Sequence, residues 1–139
     1  MKIEVRYLSK SGNTAKVAEA VAAAVGVSAS PIGEPVAVDT ELLFLGGAVY
    51  AFGIDESLTQ FIAALPQTIG RVAVFSTSAI VKSAYPQIGK ALADRSLTVC
   101  DEAFHCRGAF KFMHKGRPNA EDLKDAEAFA KRVSGEADV

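Results

Sequence analysis

The chain has 139 residues, 50% of them hydrophobic and 22% charged, with a formal net charge of −1. That length predicts a single domain over residues 1–139 with a core of ordinary size. A near-neutral balance argues against a nucleic-acid partner, and no apolar run reaches the ~20 residues needed for membrane insertion.

The charge is unevenly placed. Residues 1–70 hold four Lys/Arg against seven Asp/Glu, and residues 71–139 hold eleven against nine. The most basic stretch runs from His105 to Arg117 through Arg107, Lys111, His114 and Lys115. Its plainest reading is a solvated loop. Cys100 and Cys106 lack metal-type pairing and are expected as free thiols in a reducing cytoplasm. No signal peptide is expected, since strand-like residues begin at Lys2.

Lys2–Leu8 alternates, carries Ile3, Val5 and Tyr7, and reads as a first strand. Thr14–Val25 reads as a helix with Val17, Val21 and Ala24/Val25 on one face, stopped by Gly26. Residues 27–40 hold Pro31, Gly33 and Pro35 and read as a loop with a short edge strand at Val36–Val38. Leu42–Gly46 is a continuous apolar run, as in a strand covered on both faces. Glu56–Leu65 reads as a helix with Leu58, Phe61, Ile62 and Leu65 inward, and Pro66 lies beyond its end. Arg71–Phe75 is another buried strand, Ala84–Ala93 a helix, and Leu97–Phe104 a fifth strand. Ala120–Val133 is the last helix, with Asn119 as its cap and Leu123, Ala126, Phe129, Ala130 and Val133 on one face. Residues 134–139 are expected to fray.

This alternation predicts an α/β fold of three layers. Its centre is a doubly wound, parallel, five-stranded sheet in the order 2-1-3-4-5. Such sheets bind ligands at the carboxyl ends of the strands, where the winding reverses between strands 1 and 3. The turns at those ends are residues 9–14, 47–55, 76–83 and 105–119.

The first of these turns reads Ser9-Lys10-Ser11-Gly12-Asn13-Thr14 and runs straight into an alanine-rich helix. A helix N-terminus offers N–H groups and the positive end of its dipole. Ser9, Ser11 and Thr14 add hydroxyls, so a phosphate monoester is a fitting guest. A P-loop and a dinucleotide fingerprint are both absent, since Gly12 stands alone. The simpler alternative for the stretch is an ordinary helix cap.

Ser/Thr-x-Ser/Thr-Gly-x-Thr directly after a first strand resembles the FMN-phosphate loop of flavodoxins. The resemblance runs through nearly the whole chain and points to the short-chain type, because the long insertion that other members carry inside the fifth strand is missing. It implies FMN as cofactor, with Ser9, Lys10, Ser11, Gly12, Asn13 and Thr14 around its phosphate. A second part is Gly46 to Gly53, where Ala48, Val49, Tyr50, Ala51, Phe52 and Gly53 would border the ring. Tyr50 is expected to stack on the ring and Phe52 to fold into the core. Gly53 would let a peptide turn over beside flavin N5, or else serve an ordinary turn capped by Asp55. A third part is the loop Ser76, Thr77 and Ser78, which would offer hydroxyls and N–H groups to the ring's pyrimidine edge.

His105, Cys106, Arg107 and Gly108 end the fifth strand and would lie near the ring. No Asp or Glu partners His105 or Cys106 in catalytic fashion. Cys106 reads as a small buried hydrophobe, and Arg107 would sit near the flavin or a partner's acidic patch. Three departures from the resembled family stand out. The chain has no Trp and no second stacking aromatic after the fourth strand, it is not strongly acidic, and Lys10 puts a charge inside the phosphate loop.

The resemblance implies an electron-transfer flavoprotein that serves redox partner proteins as a monomer or weak dimer. An open ring face with a basic rim would instead suit a small NAD(P)H or quinone reductase using the same FMN. A flavin-free interaction domain is the third alternative.

Overall fold

The computed structural model describes residues 1–48, 54–78, 85–108 and 116–135. In chain order they form β1 (Ile3–Tyr7), α1 (Asn13–Val25), β2 (Ala29–Pro31), β3 (Leu42–Ala48), α2 (Glu56–Ala63), β4 (Arg71–Ser78), α3 (Tyr85–Asp94), β5 (Phe104–Arg107) and α4 (Ala120–Val133). The five strands make one parallel sheet in the order β2-β1-β3-β4-β5. This is the doubly wound topology expected from the sequence.

Alternation along the central strands builds two cores. Leu42 and Phe44 of β3 point to one face, together with Ala73 and Phe75 of β4. There they meet Val17, Ala18 and Val21 of α1 and Ala126, Phe129 and Ala130 of α4. Phe44 and Phe129 pack edge to face, with ring centres 5.9 Å apart. Leu43, Leu45, Val72 and Val74 point the other way, onto Leu58 and Ile62 of α2 and Ile88 and Leu92 of α3. A strand buried on both faces has no room for polar alternation, which is why β3 reads as an unbroken apolar run.

Local signals fix the helix ends. Gly26 closes α1 in the left-handed conformation at φ 76°, and Asp55 caps α2 by accepting from the Ser57 N–H. Asn119 caps α4 in a reciprocal box with Asp122.

Two expected elements fall elsewhere. The edge strand is not Val36–Val38 but Ala29–Pro31, which pairs with Val5–Tyr7. Residues 34–37 are held instead by side chains from β1. Arg6 donates to the carbonyls of Glu34 and Pro35, and Glu4 accepts from the Ala37 N–H at 3.1 Å. The fifth strand is Phe104–Arg107 rather than Leu97–Phe104. The chain touches β4 through a single bridge, Val72 to Val99, and pairs again from Phe104. Between them Asp101 and Glu102 are exposed, and Glu102 pairs with Arg132 of α4 at 2.7 Å. β3 and β4 also run past their expected ends, to Ala48 and Ser78.

Candidate functional site

The carboxyl ends of β1, β3, β4 and β5 open on one edge of the sheet, as parallel pairing requires. The loop from β1 to α1 lies there. Gly12 is the N-cap of α1 at φ 90°, in the left-handed region that favours glycine, and no side-chain hydrogen bond caps this helix. Its N–H donates back to Ser9 Oγ at 3.0 Å, which tightens the loop. The first turn carries no acidic residue. Ser9 and Asn13 are half-buried, Lys10 and Ser11 exposed, and Thr14 buried. The ordinary-cap alternative therefore lacks its bond, whereas α2 and α4 both have theirs. A helix start left this way favours an anion.

Gly108, just after β5, approaches the same loop. Its N–H donates to the Ser78 carbonyl at 3.2 Å, and a β-carbon there would come within 2.7 Å of Asn13 Nδ2. The end of β5 thus lies against the start of α1.

Ser76, Thr77 and Ser78 belong to strand β4 and are buried, not carried on a loop as expected. Strand alternation separates their roles. Thr77 faces α1, and its hydroxyl lies 2.8 Å from that of buried Thr14. Ser76 and Ser78 face the other way, toward His105 of β5. Ser76 Oγ is 3.0 Å from His105 Nδ1, and Ser78 Oγ is 3.2 Å from Nε2. The register sets this clamp, since Ser76 stands opposite His105 and Ser78 opposite Arg107. Burial, aided by the charge of Arg107 and opposed by a Ser76 backbone hydrogen bond, pushes the His105 pKa below its ordinary value. Sequence reasoning missed the clamp because it needs the register between two strands. Cys106 stands opposite Thr77, is buried in the α1/α4 core as expected, and has its thiol pushed up to about 12. Burial is the main cause, with Asp122 adding to it and Arg117 opposing. Arg107 is half-buried near Ser78.

Ala48 ends β3 opposite Thr77 and is half-buried. Gly46 is needed for packing, because a β-carbon there would lie 2.0 Å from the Phe75 ring. Val49, Tyr50, Ala51, Phe52 and Gly53 lie outside the described residues, as do Lys111, His114 and Lys115. Beyond Gly53, Asp55 pairs with Lys10 at 2.6 Å. That pair and the Ser57 hydrogen bonds hold the Asp55 carboxyl far below its ordinary range.

Among the described residues no cluster of His, Cys, Asp and Glu could hold a metal ion, and no helix is long and apolar enough to cross a membrane. No protein-family model matches the sequence, and no curated protein matches it. Solved structures do. A flavodoxin from the domain Archaea superposes with a TM-score of 0.79 over 100% of both chains, at 19% identity. Oxidised flavodoxin 2 from Bacillus cereus gives 0.75 over 98% of this chain and 99% of its own, at 18% identity. Rubredoxin:oxygen oxidoreductase from Desulfovibrio gigas gives 0.74 at 14% identity, with 97% of this chain matched to 35% of that protein. The fold is the flavodoxin-like fold, in its compact form and over the full chain.

Proposed function

We propose that this protein binds FMN without a covalent link and passes electrons between partner proteins in the cytoplasm. The observation that carries this reading is the start of α1. A loop of small hydroxyl residues leads through a left-handed glycine into a helix with no side-chain cap, at the edge where doubly wound sheets take ligands. The residues fit a phosphate monoester. Backbone at Gly12, Asn13 and Thr14 and the side chains of Ser9, Ser11 and Asn13 would surround it, with Lys10 supplying positive charge.

When bound, FMN supplies the redox chemistry of its ring. The chain's own part is to hold and to tune. In this reading the strand ends at Ala48, Ser78 and Gly108 would border the ring, with Ser76, Thr77 and Cys106 buried behind them. Arg107, at the end of β5, would bring a positive charge near the ring and favour a more negative ring. Tyr50, by its place after β3, would cover one face, and Val49, Ala51, Phe52 and Gly53 would complete that wall.

Titration of the purified protein with FMN and with riboflavin tests the reading. FMN should bind at least about tenfold more tightly, since charge-assisted bonds to phosphate are available only to it. Equal affinities would remove the phosphate site. In the FMN complex, Tyr50→Leu should relieve the quenching of flavin fluorescence, and a result seen only with Phe52→Leu would transfer the stacking role to Phe52.

A further inference from the structure

Lys10 Nζ and Asp55 Oδ2 lie 2.6 Å apart and join the Ser9–Thr14 loop to the N-cap of α2. The two oxygens of Asp55 have separate partners. Oδ1 accepts from the Ser57 N–H at 2.8 Å and from the Ser57 hydroxyl at 2.6 Å, while Oδ2 faces Lys10. The cap of α2 therefore does not depend on the lysine. The Lys10 side chain is 58% exposed, so its ion pair is the solvent-screened kind that holds weakly. A phosphate dianion at the start of α1 would bring more charge and more acceptor oxygens to the loop that carries Lys10.

We propose that Lys10 exchanges Asp55 for the phosphate of a bound phosphate monoester, and that Asp55 thereby sets how strongly such ligands bind. The inference rests on the phosphate-site reading given above. Asp55 opposes the ligand in two ways: it occupies the lysine, and it keeps a negative charge beside it. The pair also masks Lys10 while the site is empty, so small anions meet a loop whose charge is already balanced. Selectivity then favours a ligand with other contacts to the protein, able to outcompete the carboxylate.

Substitution of Asp55 by Asn keeps a capping oxygen for Ser57 and removes the charge. FMN and riboflavin are titrated at low ionic strength into the wild type, Asp55→Asn, Lys10→Gln and the double variant. Asp55→Asn should tighten FMN by about two- to fivefold, the scale of one released surface ion pair, and leave riboflavin unchanged. Lys10→Gln should weaken FMN and shrink the gain from Asp55→Asn in the double variant. A wild type that prefers FMN, with Asp55→Asn no tighter, overturns this inference alone. A wild type that binds both ligands equally overturns the phosphate site and this inference with it. If Asp55→Asn lowers the unfolding midpoint, Lys10→Gln decides by itself, and an unchanged FMN affinity there overturns the exchange.

Discussion

The hydroxyls of Thr14 and Thr77 lie 2.8 Å apart inside the protein, one on the first turn of α1 and one on β4. One must donate and the other accept. The pair fastens the start of α1 to the strand that also holds Ser76 and Ser78. The loop before α1 is therefore set by the sheet as well as by its own glycine.

Truncation of Thr14 to Ala strands the buried Thr77 hydroxyl and should lower unfolding stability by about 1–3 kcal/mol. Replacing both residues, as Thr14→Ala with Thr77→Val, should cost less than the two single changes added together. Urea unfolding of the four proteins measures this. A simple sum would mean the hydroxyls do not interact.

His105 should make stability depend on pH below neutrality. Its folded pKa is depressed from 6.5, chiefly by burial and then by Arg107. Between the folded and unfolded values the unfolded chain holds the extra proton, so stability falls as the pH drops. The stabilisation is complete above about pH 6.5 and is lost as the pH falls through the lower folded value. Urea midpoints at pH 7.5 and pH 5.5 should differ more in the wild type than in His105→Gln. An equal difference in both would place the titration elsewhere.

Cys106 should be chemically quiet. Its thiol is buried and held near 12, so little thiolate exists at neutral pH. Cys100 is more exposed. A thiol reagent should modify one cysteine of the folded protein, at Cys100, and a second only after unfolding. Rapid labelling of Cys106 in the folded protein would contradict its burial.

Gly46→Ala should destabilise by at least about 1–3 kcal/mol, the usual cost of overpacking. The added methyl would meet the Phe75 ring in the adjacent strand. Phe75→Leu in the same chain should recover part of the loss, read from the denaturation midpoint. A Gly46→Ala variant as stable as the wild type would show that the Phe75 ring can move aside freely.

Much of this architecture was written locally. Gly26 and Asn119 mark helix ends, and the run Leu42–Leu45 marks a strand covered twice. The displaced edge strand was not legible. Val36–Val38 has strand-like side chains, but Glu4 and Arg6, roughly thirty positions earlier, take the Ala37 N–H and the carbonyls of Glu34 and Pro35 just before it. The interruption before β5 follows from Asp101 and Glu102, which stay in solvent while Val99 still touches β4. At the site, the hydroxyl loop and its glycine were legible because a strand-to-helix turn is one continuous segment. The Ser76–His105–Ser78 clamp and the Thr14–Thr77 pair were not, because each depends on how distant segments align.

The alternation of Ser76, Thr77 and Ser78 has a consequence for anyone re-engineering this scaffold. One strand end serves two layers, with Thr77 turned to α1 and the two serines to His105. Deleting or inserting one residue upstream in β4 would reverse every face at once. The serines would then meet α1, and the threonine would stand before an imidazole that needs two hydroxyls. Length changes and grafts therefore belong beyond Ser78, where they leave that parity intact.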